Sequence, residues 1–122
     1  PRFTHNQSAR YEARLSMVEV LDSPSIFLQG MAGSRLPIAV AHGEGFANFA
    51  AQGDAAQVIR AMRYVDNHGQ ATADGRFTAM MPHPERVFRH IQMSWTDPKQ
   101  AGDRSGFSPW MQLWLNARKW VG

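Results

Sequence analysis

The apolar residues of this chain occur in short stretches that turn-forming residues interrupt, and this pattern limits the folds that the chain can adopt. Stretches of this length, enriched in valine, leucine and methionine, are typical of β-strands. The interrupting Gly, Pro, Asn and Asp residues favour tight turns. We therefore predict five strands, at Tyr11–Leu21, Ile26–Gln29, Leu36–Ala41, Arg60–Val65 and Phe77–Met81.

Several local features refine this strand prediction. Pro37 has no N–H to donate, so we expect the third strand to lie at a sheet edge or to begin there. Gly43 and Gly45 flank a carboxylate, which indicates a tight backbone course beside a bulky group or a simple bend. The stretch Asp54–Ile59 is ambiguous between a helical turn and a loop. The polar residues Pro1–Arg10 are expected to be irregular.

The C-terminus has the features of a helix. Ser108 can cap it and Pro109 suits its first position, because the amide that proline lacks has no partner there. Apolar residues then recur at helical spacing, which predicts that the tryptophans among them belong to the core: Trp110, Leu113, Trp114 and Ala117. Short strands followed by one terminal helix indicate an α/β or α+β sheet that few helices cover.

Composition restricts the classes of function. The 122 residues form one domain or part of one, with ordinary apolar (43%) and charged (19%) fractions. The net charge of +3 comes from scattered arginines, whereas nucleic-acid surfaces cluster their cations, so we expect no nucleic-acid partner. No apolar stretch is long enough to span a membrane, and a cytoplasmic location is expected. The absence of cysteine excludes disulfides and thiolate metal sites within these residues.

The residues His83, Pro84 and Glu85 are the strongest candidates for chemistry. A histidine serves as a general base when a carboxylate orients its ring, and such a pair supplies two members of a nucleophilic triad. In an extended segment, residues two apart face the same side, so both side chains could reach one site. The third member would be a cysteine or serine. With no cysteine present, the pair indicates a nucleophile outside these residues.

His42 and Glu44 form a second pair with the same spacing, again at the end of a predicted strand. Two imidazoles with one or two carboxylates can hold zinc or iron. A small metal protein that uses His42, Glu44, His83 and Glu85, or a binding module without catalysis, is therefore the alternative to an enzyme. The spacings typical of metal-binding histidines are absent, so metal is the weaker hypothesis.

Polar residues also surround the start of the first long predicted strand: Asn6, Ser8, Glu12 and Arg14. An arginine and a glutamate on one strand can pair with each other or hold a charged substrate. A partly solvated start of a strand explains the same residues equally well.

In its motifs the chain resembles the C-terminal part of the glutaminase domain of the large bacterial phosphoribosylformylglycinamidine synthases, also called formylglycinamide ribonucleotide amidotransferases. The matching blocks occur in order along the chain: Pro1–Phe3, Asn6-x-Ser8, Tyr11–Ser16, Gln29–Met31, Pro37–Gly45, Arg63–Asn67, Met80–Arg89, Ser108–Met111 and Asn116–Lys119. The similarity covers essentially the whole chain and is more specific than any single motif.

This resemblance implies a class I glutamine amidotransferase domain with a flavodoxin-like sheet and a Cys-His-Glu triad. His83 would be the base, and Glu85 would orient it. The cysteine would attack the side-chain amide of glutamine and release ammonia. A separate synthetase region would use ATP and magnesium to convert formylglycinamide ribonucleotide to formylglycinamidine ribonucleotide. The expected partners are glutamine and the rest of that enzyme, with no cofactor in this chain.

The sequence departs from the family in two places. The family's cysteine lies upstream of the position of Pro1, so residues 1–122 are expected to be the C-terminal portion of the domain and inactive when isolated. Near Gln70–Ala73 the family carries a longer stretch that is absent here. Supporting roles at the site are expected for the remaining polar candidates: Asn6, Ser8, Glu12, Arg14, His42 and Glu44.

Overall fold

The longest ladder joins two antiparallel strands, β2 (Glu12–Val20) and β3 (Arg35–His42). Its register runs from the Glu12–His42 pair at one end to the Glu19–Arg35 pair at the other. A third strand, β5 (Met62–Val65), pairs antiparallel with the other side of β2, so β2 is the central strand of a three-stranded sheet. The strands predicted at Tyr11–Leu21, Leu36–Ala41 and Arg60–Val65 are thus confirmed, with somewhat different ends.

The computed structural model describes residues 2–51, 53–66, 68–71, 82–95 and 106–122. The predicted strand Phe77–Met81 lies outside these residues.

The outer edge of β3 is covered without a further strand among the described residues. Two successive outward carbonyls each accept a hydrogen bond there: Pro37 O from the indole Nε1 of Trp110 at 2.7 Å, and Ala39 O from the backbone N of His83 at 2.8 Å. The edge position predicted for Pro37 is confirmed, because its missing N–H costs no ladder hydrogen bond there. Covering an edge in this way also removes a template for unwanted strand pairing.

A small second sheet was not predicted. Strand β1 (Arg2–Thr4) pairs antiparallel with β4 (Phe46–Asn48), so the expectation of an irregular Pro1–Arg10 is wrong for these three residues. Strands of three residues are too short to show a period of two, and this pair joins segments more than forty residues apart. Only the meeting of distant segments makes these strands.

Two other segments form single 3₁₀ turns. The strand predicted at Ile26–Gln29 is wrong: Ile26–Leu28 is a 3₁₀ turn. A short apolar run cannot be distinguished from a helical segment by periodicity. The ambiguous Asp54–Ile59 contains a 3₁₀ turn at Ala55–Gln57, which Asp54 caps by accepting from the backbone N of Ala56 at 2.8 Å.

The predicted C-terminal helix is confirmed. Ser108 caps a 3₁₀ turn at Pro109–Met111, which continues into α1 (Gln112–Val121). Asn116 faces inward, and its Nδ2 donates to the carbonyls of Phe27 and Gln29 at 2.8 and 2.9 Å. These two hydrogen bonds dock α1 on the Ile26–Leu28 turn.

The core lies between one face of the three-stranded sheet and the start of α1. Its largest fully buried members are Trp110, Ile38, Val18, Val20 and Val87. The expectation that all the stripe's tryptophans are buried is wrong: Trp114 is 43% exposed. The inward positions are Trp110, Leu113 and Asn116, and Trp114 falls to the side of that row.

The mixed α/β class with a C-terminal helix is confirmed. All strand pairs among the described residues are antiparallel, so the described part does not include the parallel strands typical of a flavodoxin-like sheet. Within the described residues, no helix has the length and apolar character needed to cross a bilayer.

Candidate active site

His83 and Glu85 are in contact in a segment that lies beside the outer edge of β3, where His83 pairs with Ala39. The Nδ1 of His83 is 2.7 Å from Oε1 of Glu85. The expectation of an extended segment is wrong, because Pro84–Arg86 is a 3₁₀ turn with Pro84 at its start. Proline suits the first position of such a turn, and the turn carries the carboxylate back toward the imidazole.

The hydrogen bond between these side chains determines which ring nitrogen of His83 can act as a base. An ionised carboxylate only accepts hydrogen bonds, so Nδ1 of His83 carries the proton that Glu85 accepts. In the neutral imidazole, Nε2 then keeps a lone pair. Both side chains are partly exposed, and Nε2 is chemically able to remove a proton from a nucleophile placed beside it.

Two backbone attachments hold this turn in the fold. On one side, the backbone N of His83 donates to Ala39 O, and these two residues form an isolated antiparallel bridge. On the other side, Ser108 Oγ donates to Val87 O at 2.6 Å, and Ser108 N donates to Phe88 O at 2.7 Å. The start of the C-terminal helix therefore positions the segment that follows Glu85. The sequence identified Ser108 only as a cap, since nothing local links it to Val87.

Asn6 organises the second histidine. Its Nδ2 donates to the carbonyls of Arg10 and His42, each at 2.8 Å, and its Oδ1 accepts from the backbone N of Gly45 at 2.8 Å. The same Oδ1 is 3.0 Å from His42 Nδ1, and the backbone N of Asn6 donates to Gly43 O. Asn6 is buried, with both ends of its amide fully used.

These partners determine the tautomer of His42. Backbone carbonyls only accept and a backbone N–H only donates, so the two ends of the Asn6 amide cannot be exchanged. The Oδ1 therefore faces His42, and Nδ1 of that ring must carry the proton. Burial is the largest cause that lowers the pKa of His42 below its ordinary value, and the charges of His83 and Arg14 lower it further, against a backbone hydrogen bond and Glu12. His42 is thus neutral near pH 7, with a lone pair on Nε2.

Gly45 allows the ring of His42 to occupy this position. A Cβ at residue 45 would lie 2.0 Å from Cε1 and 2.2 Å from Nδ1 of the imidazole, far inside van der Waals contact. The close course beside a bulky group that the two glycines indicated is confirmed at Gly45. The steric constraint comes from the side chain of His42 three residues earlier.

Three other predicted residues lie around the same end of the sheet. Glu12 is directly opposite His42 in the β2–β3 register. Ser8 Oγ donates to Glu12 Oε1 at 2.7 Å, and Arg14 Nε is 3.7 Å from Glu12 Oε2. The polar residues predicted at the start of the strand therefore form one connected group with His42.

Glu44 does not join this group. Its Oε1 lies 3.8 Å from Nδ1 of His5, and both side chains are exposed. In the part of the chain that the structure describes, no three His, Asp or Glu side chains are placed to hold a metal ion. Nδ1 is engaged by Asn6 in His42 and by Glu85 in His83, so the four residues of the metal hypothesis do not converge through these atoms.

Comparison with known protein families agrees with this geometry. Residues 1–74 and 71–121 match the family model of the CobB/CobQ-like glutamine amidotransferase domain. The matched stretches cover nearly the whole chain, and the protein belongs to this family of glutamine amidotransferase domains. The two matched stretches overlap at residues 71–74. This is close to the position where the sequence lacks the longer stretch of the phosphoribosylformylglycinamidine synthases.

Proposed function

We propose that this chain contributes the base and the orienting carboxylate to a glutaminase site that releases ammonia for a biosynthetic reaction. The observation that carries the proposal is the 2.7 Å contact between His83 Nδ1 and Glu85 Oε1 in a chain of the glutamine amidotransferase family. That contact leaves Nε2 as the basic nitrogen, which is the arrangement that activation of a nucleophile requires.

In the proposed reaction, Nε2 of His83 accepts the proton of a cysteine thiol, and the thiolate attacks the amide carbon of the glutamine side chain. The C–N bond then breaks, and the imidazolium returns its proton to the leaving nitrogen, which departs as ammonia. Water attacks the glutamyl thioester, with His83 again as the base, and glutamate leaves. The 122 residues contain no cysteine, so the thiol belongs to a part of the enzyme outside them.

The specific reaction that we propose is the conversion of formylglycinamide ribonucleotide to formylglycinamidine ribonucleotide, a cytoplasmic step of purine biosynthesis. It is supported by the ordered blocks shared with the phosphoribosylformylglycinamidine synthases, from Pro1 to Lys119. ATP and magnesium would be bound by the synthetase region, and no residue of this chain is assigned to them. The rest of the enzyme is the proposed partner.

Two exposed apolar residues in the described part of the chain support association with that partner. Ala13 and Leu15 lie on the face of β2 opposite the core, and both are exposed. Apolar residues on a sheet face are ordinarily covered by another layer of the fold. We propose that other residues of the enzyme cover this face.

The test uses the complete enzyme that contains this chain. We expect it to form formylglycinamidine ribonucleotide with either glutamine or ammonium as the nitrogen source. His83→Ala should remove the glutamine-driven reaction and leave the ammonium-driven one, whereas His68→Ala, in an exposed turn, should change neither. If the complete enzyme releases no glutamate from glutamine, the glutaminase proposal is wrong. If it releases glutamate without forming this product, only the assigned pathway is wrong.

A further inference from the structure

The turn that carries His83 and Glu85 is closed by its own backbone hydrogen bonds. The backbone N of Arg86 donates to His83 O, and that of Val87 donates to Pro84 O, each at 3.1 Å. Pro84 and Val87 are buried, whereas the side chains of His83 and Glu85 are partly exposed. The position of the turn as a whole therefore determines where the imidazole and its carboxylate lie.

Both ends of this turn are attached to other parts of the fold. At its start, the backbone N of His83 donates to Ala39 O at 2.8 Å. At its end, the Oγ of Ser108 donates to Val87 O at 2.6 Å, and Ser108 is only 3% exposed. The same Oγ accepts from the backbone N of Trp110 at 3.2 Å. One buried hydroxyl thus joins the turn to the start of the C-terminal helix.

Trp110 attaches the start of the helix to the same edge of β3. Its side chain is fully buried, and its indole Nε1 donates to Pro37 O at 2.7 Å. Pro37 and Ala39 are two residues apart, so the two outward carbonyls are separated by about 7 Å along the strand. The strand edge, the turn and the helix start are therefore connected in a closed set of contacts. A displaced helix start would shift the carbonyl of Val87, and with it the turn.

We propose that Ser108 and Trp110 are positioning residues for His83: they hold the turn against β3 so that Nε2 stays where it can accept the proton of the nucleophile. Proton transfer requires the two heavy atoms within hydrogen-bond distance, and a displacement of about 1 Å can cost roughly 100-fold in rate. The inference rests on the proposed glutaminase function and adds the residues that place its base.

The test measures kcat and KM for L-glutamine in the complete enzyme. Trp110→Phe removes the donor to Pro37 and keeps a large aromatic ring, and Ser108→Ala removes the donor to Val87. We expect each change to lower kcat about tenfold near pH 7, with little change in KM or in the ammonium-driven rate. Ser108→Thr keeps a hydroxyl and should restore most of the activity.

The pH dependence separates a misplaced base from a smaller amount of folded enzyme. A thiol with the ordinary pKa of about 8.5 ionises at higher pH without the help of a base. The ratio of wild-type kcat to that of Trp110→Phe should therefore shrink as the pH rises from about 7 to about 9. A loss of folded enzyme would lower kcat by a factor that does not shrink in this way.

Two control variants make comparable changes away from the turn. Asp54→Ala removes the cap of another 3₁₀ turn, and Trp120→Phe alters an exposed tryptophan of the same helix; neither should change kcat. An unchanged kcat in both Trp110→Phe and Ser108→Ala would overturn the positioning role. A loss of kcat that is equal at every pH would overturn it too and indicate a purely structural role. A wild-type enzyme that releases no glutamate from glutamine would instead overturn the proposed function, and this inference with it.

Discussion

The chain contains two histidines that are each followed, two residues later, by a glutamate, and the fold treats them differently. In one pair, Glu85 accepts the hydrogen bond from Nδ1 of His83 at 2.7 Å. In the other pair, Nδ1 of His42 donates to Oδ1 of Asn6 instead, and the carboxylate of Glu44 lies near the imidazole of His5. Identical spacing therefore produced an imidazole oriented by a carboxylate in one place and a half-buried imidazole held by a neutral amide in the other.

The residue between the members of each pair contributes to this difference. Pro84 starts a 3₁₀ turn that brings Glu85 back over His83. Gly43 follows the end of β3, and its carbonyl is held by the backbone N of Asn6. The comparison teaches that spacing supplies candidates for a His–carboxylate pair, while the local turn and the acceptor nearest to Nδ1 decide whether the pair forms.

The largest expected effect is the difference between the two glutamates when each is replaced by glutamine. We expect Glu85→Gln to reduce glutamine hydrolysis by roughly 100-fold or more, because the ring of His83 loses its orienting acceptor. Glu44→Gln should leave hydrolysis unchanged. Glutamate release by the complete enzyme is the measurement, and equal losses in the two variants would contradict the assignment of Glu85.

The next largest effect is expected at Asn6. Replacing it by alanine removes four side-chain hydrogen bonds and leaves the N–H of Gly45 and the ring of His42 without their acceptor. We expect the free energy of unfolding to fall by about 2–4 kcal/mol. Asn48→Ala, which removes one exposed hydrogen bond to Ala50, is the control and should cost below about 1 kcal/mol. Denaturant unfolding measures the free energy of unfolding of both variants. Similar losses in the two variants would show that the Asn6 hydrogen bonds contribute no more to stability than the single exposed bond of Asn48.

Gly45 offers a smaller effect with a built-in control. Gly45→Ala should cost about 1–3 kcal/mol, because the new methyl group collides with the imidazole of His42. In a His42→Ala background the same change should cost almost nothing. A double-mutant cycle of unfolding free energies gives the coupling directly. A cost that persists without the imidazole would mean that the backbone, and not the ring, requires glycine.

The smallest expected effect is the pH dependence that His42 contributes to stability. Its pKa in the folded protein lies below the ordinary value of 6.5, chiefly through burial, so the unfolded chain binds the proton more readily. Its contribution is therefore complete above about pH 6.5 and is lost as the pH falls toward the lowered pKa. His42→Gln should flatten this part of the stability profile, and His68→Gln should not. A profile that stays unchanged in His42→Gln would show that the ring titrates normally.

Much of the framework could be predicted from the sequence. The alternation and β-branched residues around Val18 predicted β2, and the Ser108–Pro109 start predicted the C-terminal helix, because both signals arise from interactions within a few residues. The proximity of His83 and Glu85 was predicted for the same reason, although the supposed extended backbone was wrong.

The remainder depended on residues far apart in the chain. Asn6 and His42 are separated by 36 positions, and nothing near either residue indicates the other as its partner. The β1–β4 pair and the docking of Asn116 on the carbonyls of Phe27 and Gln29 are likewise contacts between distant segments. Periodicity and capping carry no information on such contacts.

The central strands, the start of the helix and the membership of the amidotransferase family follow from local sequence patterns and motifs. Which acceptor each histidine uses follows from the folded chain, in which Nδ1 of His83 donates to the Glu85 carboxylate and Nδ1 of His42 donates to the neutral amide of Asn6. The physical reason is that a hydrogen bond requires its two atoms at about 3 Å, and only the assembled fold brings Asn6 to one imidazole while a local turn brings Glu85 to the other.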